Sequence, residues 1–192
     1  TIRRQRQMCI RDRTGTFQMN IERPYFIGVG GIGMSALARY FNEAGKRVSG
    51  YDKTPTALTG QLIAEGIEIH FEENLDLIPR DADLVVYTPA VPSDHKELVF
   101  YQENGYPVKK RAQVLGDISR EQFTIAVAGS HGKTTVSSMI AFILQKAGVD
   151  CTAFLGGIST NFNSNYIGGK SNVVVVEADE FDRSFLQLEP DI

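Results

Sequence analysis

The chain has 192 residues, is 42% hydrophobic and 22% charged, and carries a formal charge of -3, an ordinary globular composition with room for one large domain or two small ones. Residues 1–13 hold five Arg against Asp12, a local balance of +4 that leaves -7 on the remainder, and so acidic a body argues against a nucleic-acid binder. No apolar run is long enough to span a bilayer, and two cysteines, Cys9 and Cys151, supply neither a disulfide framework nor a metal cluster, which suits a reducing cytosol.

Residues 1–18 contain no secretory-type apolar segment and are expected to be a disordered tail or a non-native segment, with Met19 a natural start. From Pro24 onward, short apolar runs alternate with amphipathic ones. Tyr25–Val29 is predicted as a buried strand and Gly33–Ala44 as a helix, with Met34, Leu37, Ala38 and Phe41 at helical spacing and Gly45 as its stop. Strands follow at Lys46–Gly50, Ile67–Ile69 and Asp83–Tyr87. Helices are expected through Leu62, Ile63 and Glu65, and from Asp94 to Asn104. Alternation of this kind marks a parallel sheet covered on both faces.

A second unit is expected from about Phe123, joined to the first near Ala112–Gln122. It comprises a strand Thr124–Ala128, a helix through Val136, Met139, Ile140, Ile143 and Leu144, and strands Cys151–Leu155 and Asn172–Val176. The Gly-, Asn- and Ser-rich stretch Gly156–Ser171 reads as a loop. Three strands do not complete a covered sheet, so the second unit is expected to be a truncated piece of a longer protein.

Between the strand at 124–128 and the helix after it lies Gly129-Ser130-His131-Gly132-Lys133-Thr134-Thr135. Such a loop offers converging backbone N–H groups and a helix N-terminus to phosphate oxygens. Lys133 would reach the β- and γ-phosphates, and the Thr134 hydroxyl would contact Mg²⁺. Val127 stands where the common G-x-x-x-x-G-K-[ST] pattern has its first glycine, and His131 reads equally as a phosphate contact or a solvated turn residue. Val173–Val176 leads into Glu177-Ala178-Asp179-Glu180, with Asp182 behind. Carboxylates at the C-terminal end of a parallel strand face the ligand crevice, so Glu177 is the first candidate for the Mg²⁺ shell, and Asp179 and Glu180 come second.

The N-terminal unit carries Gly28-Val29-Gly30-Gly31-Ile32-Gly33, a G-x-G-x-x-G turn between strand and helix, with Asp52 ending the second strand 19 residues after Gly33. The spacing points to a dinucleotide or nucleoside diphosphate, NAD being the default. Beside a kinase-type loop, it leaves open a nicotinamide-dependent oxidoreductase, a non-catalytic nucleotide module and a ligase using two nucleotides.

Four strings, Gly28-Val29-Gly30-Gly31-Ile32-Gly33-Met34-Ser35-Ala36, Ser49-Gly50-Tyr51-Asp52, the 129–135 loop, and Glu177 to Leu186, closely resemble the Mur ligase family, the amide-forming ligases of peptidoglycan synthesis and cell-wall biogenesis. Ser130 stands where Thr is usual and Phe181 where Ser or Tyr is usual. The resemblance implies an α/β protein with a Rossmann-like, UDP-binding N-terminal domain over 19–115. It implies an incomplete P-loop, ATP-binding central domain over 116–192, and an absent C-terminal domain. Gly28, Gly30, Gly31, Gly33, Met34, Ser35, Asp52, His70 and Thr88 would then bind a UDP-sugar rather than NAD. His70 and Asn74 resemble a His-x-x-x-Asn element near the uridine, and Thr88–Val91, Arg111, the Gly156-Gly157 turn and Asn161 are further candidates for substrate contact. Gly129–Thr135 would bind ATP, with Lys133 and His131 catalytic and Thr134 and Glu177 holding Mg²⁺. The implied substrates are UDP-N-acetylmuramate and L-alanine, joined through an acyl phosphate in the bacterial cytoplasm. The chain alone is expected to show no ligase turnover.

Overall fold

The structure, a computed structural model, describes residues 21–178 and 185–192. The reading of residues 1–18 lies outside them, as do Asp179, Glu180 and Asp182. Five short strands form the first sheet: β1 (Pro24–Ile27), β2 (Ser49–Tyr51), β3 (Glu68–His70), β4 (Leu84–Tyr87) and β5 (Val108–Lys110). They run parallel in the order β3-β2-β1-β4-β5. Alternate side chains of a strand enter opposite faces, and β1 shows why both faces are apolar. Tyr25 and Ile27 pack with Leu98 and Tyr101 of helix α3 (Lys96–Glu103), whereas Phe26 packs with Met34, Leu37 and Phe41 of α1 (Ile32–Glu43) and Val114 and Leu115 of α4 (Arg111–Glu121). Leu62 of α2 (Ala57–Ala64) joins the α1 side.

A second sheet comprises β6 (Phe123–Val127), β7 (Thr152–Ser159), β8 (Ser164–Ile167) and β9 (Val173–Glu177), in the order β6-β9-β7-β8. β6, β9 and β7 are parallel, and β8 is antiparallel to β7. Val174, Val175 and Val176 of the central β9 are fully buried, each such side chain worth about 1.5–3 kcal/mol in removal from water. Val174 and Val176, with Phe154 and Tyr166, belong to the same core as α1 and α4, while Val175 meets Ala141 of α5 (Lys133–Lys146) with Cys151, Ala153 and Leu155. The layers therefore run α3, first sheet, α1 with α4, second sheet, α5, and the middle helices serve both sheets.

The structure adds two elements to the sequence reading and corrects one expectation. Residues 108–110 form edge strand β5. The stretch 112–122, expected only as a joint, is mostly helix α4, whose Ala112, Val114, Leu115 and Ile118 are buried. The stretch 156–171 is not one loop: β7 continues to Ser159, and β8 returns through a turn where Asn163 takes a positive φ of 50°. The polar residues of β8 hid it, because Asn165 is buried by hydrogen bonds to α1 rather than by apolar contact.

Candidate functional site

Strand register brings the candidate residues into a row. In the first sheet Ile27 pairs with both Tyr51 and Tyr87, and Tyr87 pairs with Lys110. The residues that follow these level strand ends, Gly28, Asp52, Thr88 and Arg111, all line one cavity of about 600 Å³. In the second sheet Val127 pairs with Glu177, and Phe154 with Val176. Phe154, Gly156 and Glu177 line the same cavity. It is thus bounded by the C-terminal ends of both sheets, where parallel α/β sheets bind ligands.

At the first glycine turn, the N–H groups of Gly28 and Val29 donate to the Tyr51 carbonyl, 2.8 and 3.0 Å away, and hold the turn against β2. The Gly30 N–H donates to Asp52 Oδ2 at 2.7 Å and the Thr54 N–H to Asp52 Oδ1 at 3.0 Å. Asp52 therefore shapes the turn as well as lining the cavity. Arg111, the first residue of α4, lies over the start of α1 so closely that a Cβ on Gly33 would stand 2.8 Å from its Nη1 and would require that side chain to shift. No side chain caps α1 or α5, whereas α2 has a full Thr56–Thr59 capping box. Both α1 and α5 begin at glycine loops, and uncapped first-turn N–H groups are a ready site for phosphate oxygens.

The second loop turns at Gly132, whose φ of 74° is a left-handed conformation that favours glycine, and α5 starts directly after it. Lys133 Nζ donates to the Gly129 carbonyl at 2.8 Å, bridging the loop mouth. Glu177 accepts three hydrogen bonds: from Thr134 Oγ1 at 3.1 Å, Ser137 Oγ at 3.0 Å and the Gly156 N–H at 2.7 Å. Thr134 and Glu177 thereby place a hydroxyl and a carboxylate oxygen side by side. Mg²⁺ takes few protein oxygens and completes its octahedron with phosphates and water, so this donor pair fits it. Among the described residues no three His, Cys, Asp or Glu cluster around one point. Ser130 and His131 are exposed on the loop, and Thr135 is exposed in the first turn of α5.

Other predicted residues are placed elsewhere. Gly31, Gly33 and Met34 line the cavity, but Ser35 is fully buried beneath it, donating to the Ile32 carbonyl at 2.9 Å and accepting from Asn165 Nδ2 at 2.8 Å. His70 lies at the end of β3, away from the cavity; Nε2 is 2.8 Å from the Tyr25 hydroxyl and Nδ1 2.8 Å from the Glu72 carbonyl. The Tyr25 hydroxyl also donates to the buried Glu97, as does the Asn74 N–H at 3.2 Å. Burial pushes the Glu97 carboxyl above its ordinary value despite these donors, and burial beside Glu97 pushes the Tyr25 hydroxyl up too. Of the further candidates, Thr88, Ala90, Val91, Arg111 and Gly156 line the cavity, and Asn161 is exposed in the β7–β8 turn. The sequence reading did not include Glu73, His95 or Leu155 in the cavity wall, or Ser137 beneath Glu177. Ser137 was legible in principle, one helical turn after Lys133; Glu73 and His95 reach the wall from loops whose paths the sequence does not specify.

Residues 23–123 match the model of the Mur ligase family, catalytic domain. The chain is 60% identical over 176 residues to a UDP-N-acetylmuramate–L-alanine ligase of Flavobacterium johnsoniae, covering 90% of this chain and 39% of that protein. It is 56% identical to the protein of that name from Porphyromonas gingivalis over 88% of this chain and 39% of the relative. Among solved structures, the UDP-N-acetylmuramate–alanine ligase of Thermotoga maritima superposes with a TM-score of 0.79 at 34% identity, over 88% of this chain and 40% of that one. The UDP-N-acetylmuramate:L-alanyl-γ-D-glutamyl-meso-diaminopimelate ligase of Neisseria meningitides superposes with a TM-score of 0.80 at 28% identity, over 88% and 58%. The chain spans about two fifths of the length of the curated relatives it matches, at 39% in both cases. With its family model covering both the first glycine turn and the Asp52 strand end, the chain belongs to the Mur ligase family.

Proposed function

We propose that this chain forms the UDP-sugar and ATP sites of a cytoplasmic, Mg²⁺- and ATP-dependent ligase that joins the lactyl carboxylate of UDP-N-acetylmuramate to the amine of L-alanine. One observation carries the reading: a single cavity is lined both by the nucleotide-type turn (Gly28, Gly33, Asp52) and by the strand end beside the phosphate loop (Gly156, Glu177). A dehydrogenase has no use for the second half of that cavity. An activating ligase needs the two halves joined, because the substrate acid must meet the γ-phosphate.

A carboxylate is a poor electrophile, so its oxygen first takes the γ-phosphoryl group as the β–γ bridge to ADP breaks. The amine then adds to the acyl carbon, loses a proton, and phosphate leaves. Catalysis of the first step is chiefly positioning and charge neutralisation. In this chain the α1 N-terminus and Arg111 would hold the UDP diphosphate. Lys133 would exchange the Gly129 carbonyl for phosphate oxygens, and the α5 N–H groups would cradle them. Mg²⁺ bound at Thr134 and Glu177 would supply further charge neutralisation. A peptide-adding ligase is the second reading, because the Neisseria ligase superposes as closely by TM-score; the higher identity to the alanine-adding relatives favours the first. Calorimetric titration with UDP-N-acetylmuramate, Mg-ATP and NADH tests the proposal. Binding of the first two and not the third is expected, and NADH binding at the Gly28 turn would overturn it.

A further inference from the structure

The cavity wall contains one buried polar ring whose hydrogen bonding is incomplete. His95, immediately before α3, is 6% exposed and lines the cavity. Neither of its ring nitrogens has a hydrogen-bond partner among the described residues. The nearest candidate, Glu73 Oε2, is 4.0 Å from Nε2, too far for a hydrogen bond. The ring packs instead against Tyr51, centroids 4.8 Å apart and planes tilted by 55°. Buried polar groups in folded proteins are nearly all paired, and leaving one unpaired costs about 1–3 kcal/mol. Other buried polar groups here follow that rule, for Tyr25, Glu97, Ser119 and Asn165 all have partners. His95 is an exception, and it faces the cavity.

Its place in the fold says which part of a ligand it would meet. In a nucleotide-binding turn of this type the diphosphate lies at the start of the first helix and the ribose near the end of the second strand, here α1 and Asp52. Tyr51 immediately precedes Asp52, the His95 ring packs on it, and Glu73 lies 4.0 Å from that ring, so the three form the stretch of cavity wall beside Asp52. A planar ring entering there would find an aromatic neighbour and an imidazole. Neutral imidazole carries one N–H donor and one acceptor nitrogen on diverging sides of the ring, so the nitrogen that faces the cavity can pair with either a carbonyl or a ring N–H, both of which uracil presents.

Building on the UDP-sugar reading, we propose that His95 is a specificity-determining contact to the pyrimidine base of the nucleotide, separate from the phosphate-holding residues. The test is calorimetric titration of the chain and its H95L and H95N variants with UDP and with inorganic pyrophosphate. It is paired with ring-nitrogen NMR of the wild-type histidines during titration with UDP or ribose 5-phosphate. UDP affinity is expected to fall about tenfold in H95L and to recover in part in H95N, with pyrophosphate binding unchanged. The His95 ring signals should shift with UDP and stay still with ribose 5-phosphate. UDP binding by H95L within twofold of wild type, or equal loss of UDP and pyrophosphate, would overturn the assignment to the base. The NMR arm decides the matter if H95L does not fold, since unmoved His95 signals at saturating UDP refute the contact. Failure of wild type to bind UDP at all would instead refute the UDP-sugar reading, and this assignment with it.

Discussion

The Lys133 ammonium donates to the Gly129 carbonyl, so on the proposed function it would exchange that acceptor for phosphate oxygens, with which charge-assisted bonds are stronger. K133M is expected to weaken Mg-ATP binding by about tenfold or more, from the 1.5–3 kcal/mol typical of hydrogen bonds to charged groups, while UDP affinity stays as it was; calorimetry with each ligand measures both. Glu97 is a different kind of residue. It is fully buried and faces Tyr25 on β1, His70 on β3, the Asn74 N–H and His95. Burial raises its carboxyl above the ordinary value of 4.5, so between that value and the raised one the folded chain holds a proton that the unfolded chain has released. Stability from this group is therefore complete below the unfolded value and lost as pH rises through the folded one. Urea midpoints of wild type minus E97Q should fall with rising pH across that window; a flat difference would show that Glu97 ionises as freely folded as unfolded.

At the scale of elements, α1 is the joint of the molecule. Asn165 of β8 donates to the Ile32 carbonyl at 2.6 Å and to Ser35 Oγ, and accepts from Nη1 of Arg39, whose Nε and Nη2 pair with Glu65 at the α2 end. The first glycine turn and the second sheet are thereby locked to the same helix. N165A takes the partner from the buried Arg39 Nη1 donor and from two acceptors, the Ile32 carbonyl and Ser35 Oγ, and is expected to cost about 2–3 kcal/mol in urea unfolding. Substrate affinity should fall as well if the lock sets the cavity's width. Ser35 reads differently once this is seen: its place in the glycine string suggested ligand contact, and its hydroxyl is spent on Ile32 and Asn165. The element signals were otherwise strong. Apolar runs located β1, β4, β6 and β9, and glycine stops located the helix ends. β5 and β8 escaped because they are short and carry Lys109, Lys110, Ser164 and Asn165, whose polar appearance gives no apolar run, whereas α4 does show a helical period in Ala112, Val114, Leu115 and Ile118.

At the scale of the whole molecule, five layers share three cores, yet the outer face of α5 stays open. Val136, Met139 and Ile143 recur at helical spacing along it and are 44%, 54% and 61% exposed, with Phe142 beside them. Contiguous apolar faces of this kind seldom remain bare on a soluble monomer. The isolated chain is expected to self-associate in sedimentation experiments, and M139K with I143K to shift it toward monomer without lowering its melting temperature. Unchanged sedimentation would show that the face is innocuous.

By itself the sequence determined the chemistry-bearing turns: two glycine loops, each between an apolar run and an amphipathic one, and a carboxylate ending a valine strand. These are local signals, because a backbone that must approach phosphate needs glycine whatever surrounds it. Only the tertiary structure decided which of the flanking residues share a cavity. Strand register aligned Gly28, Asp52, Thr88 and Arg111, turned His70 toward Tyr25 and Glu97, and brought His95 to the wall in its place. Those outcomes depend on pairings across tens of residues, whose geometry is set by how the layers pack and leaves no period in the chain.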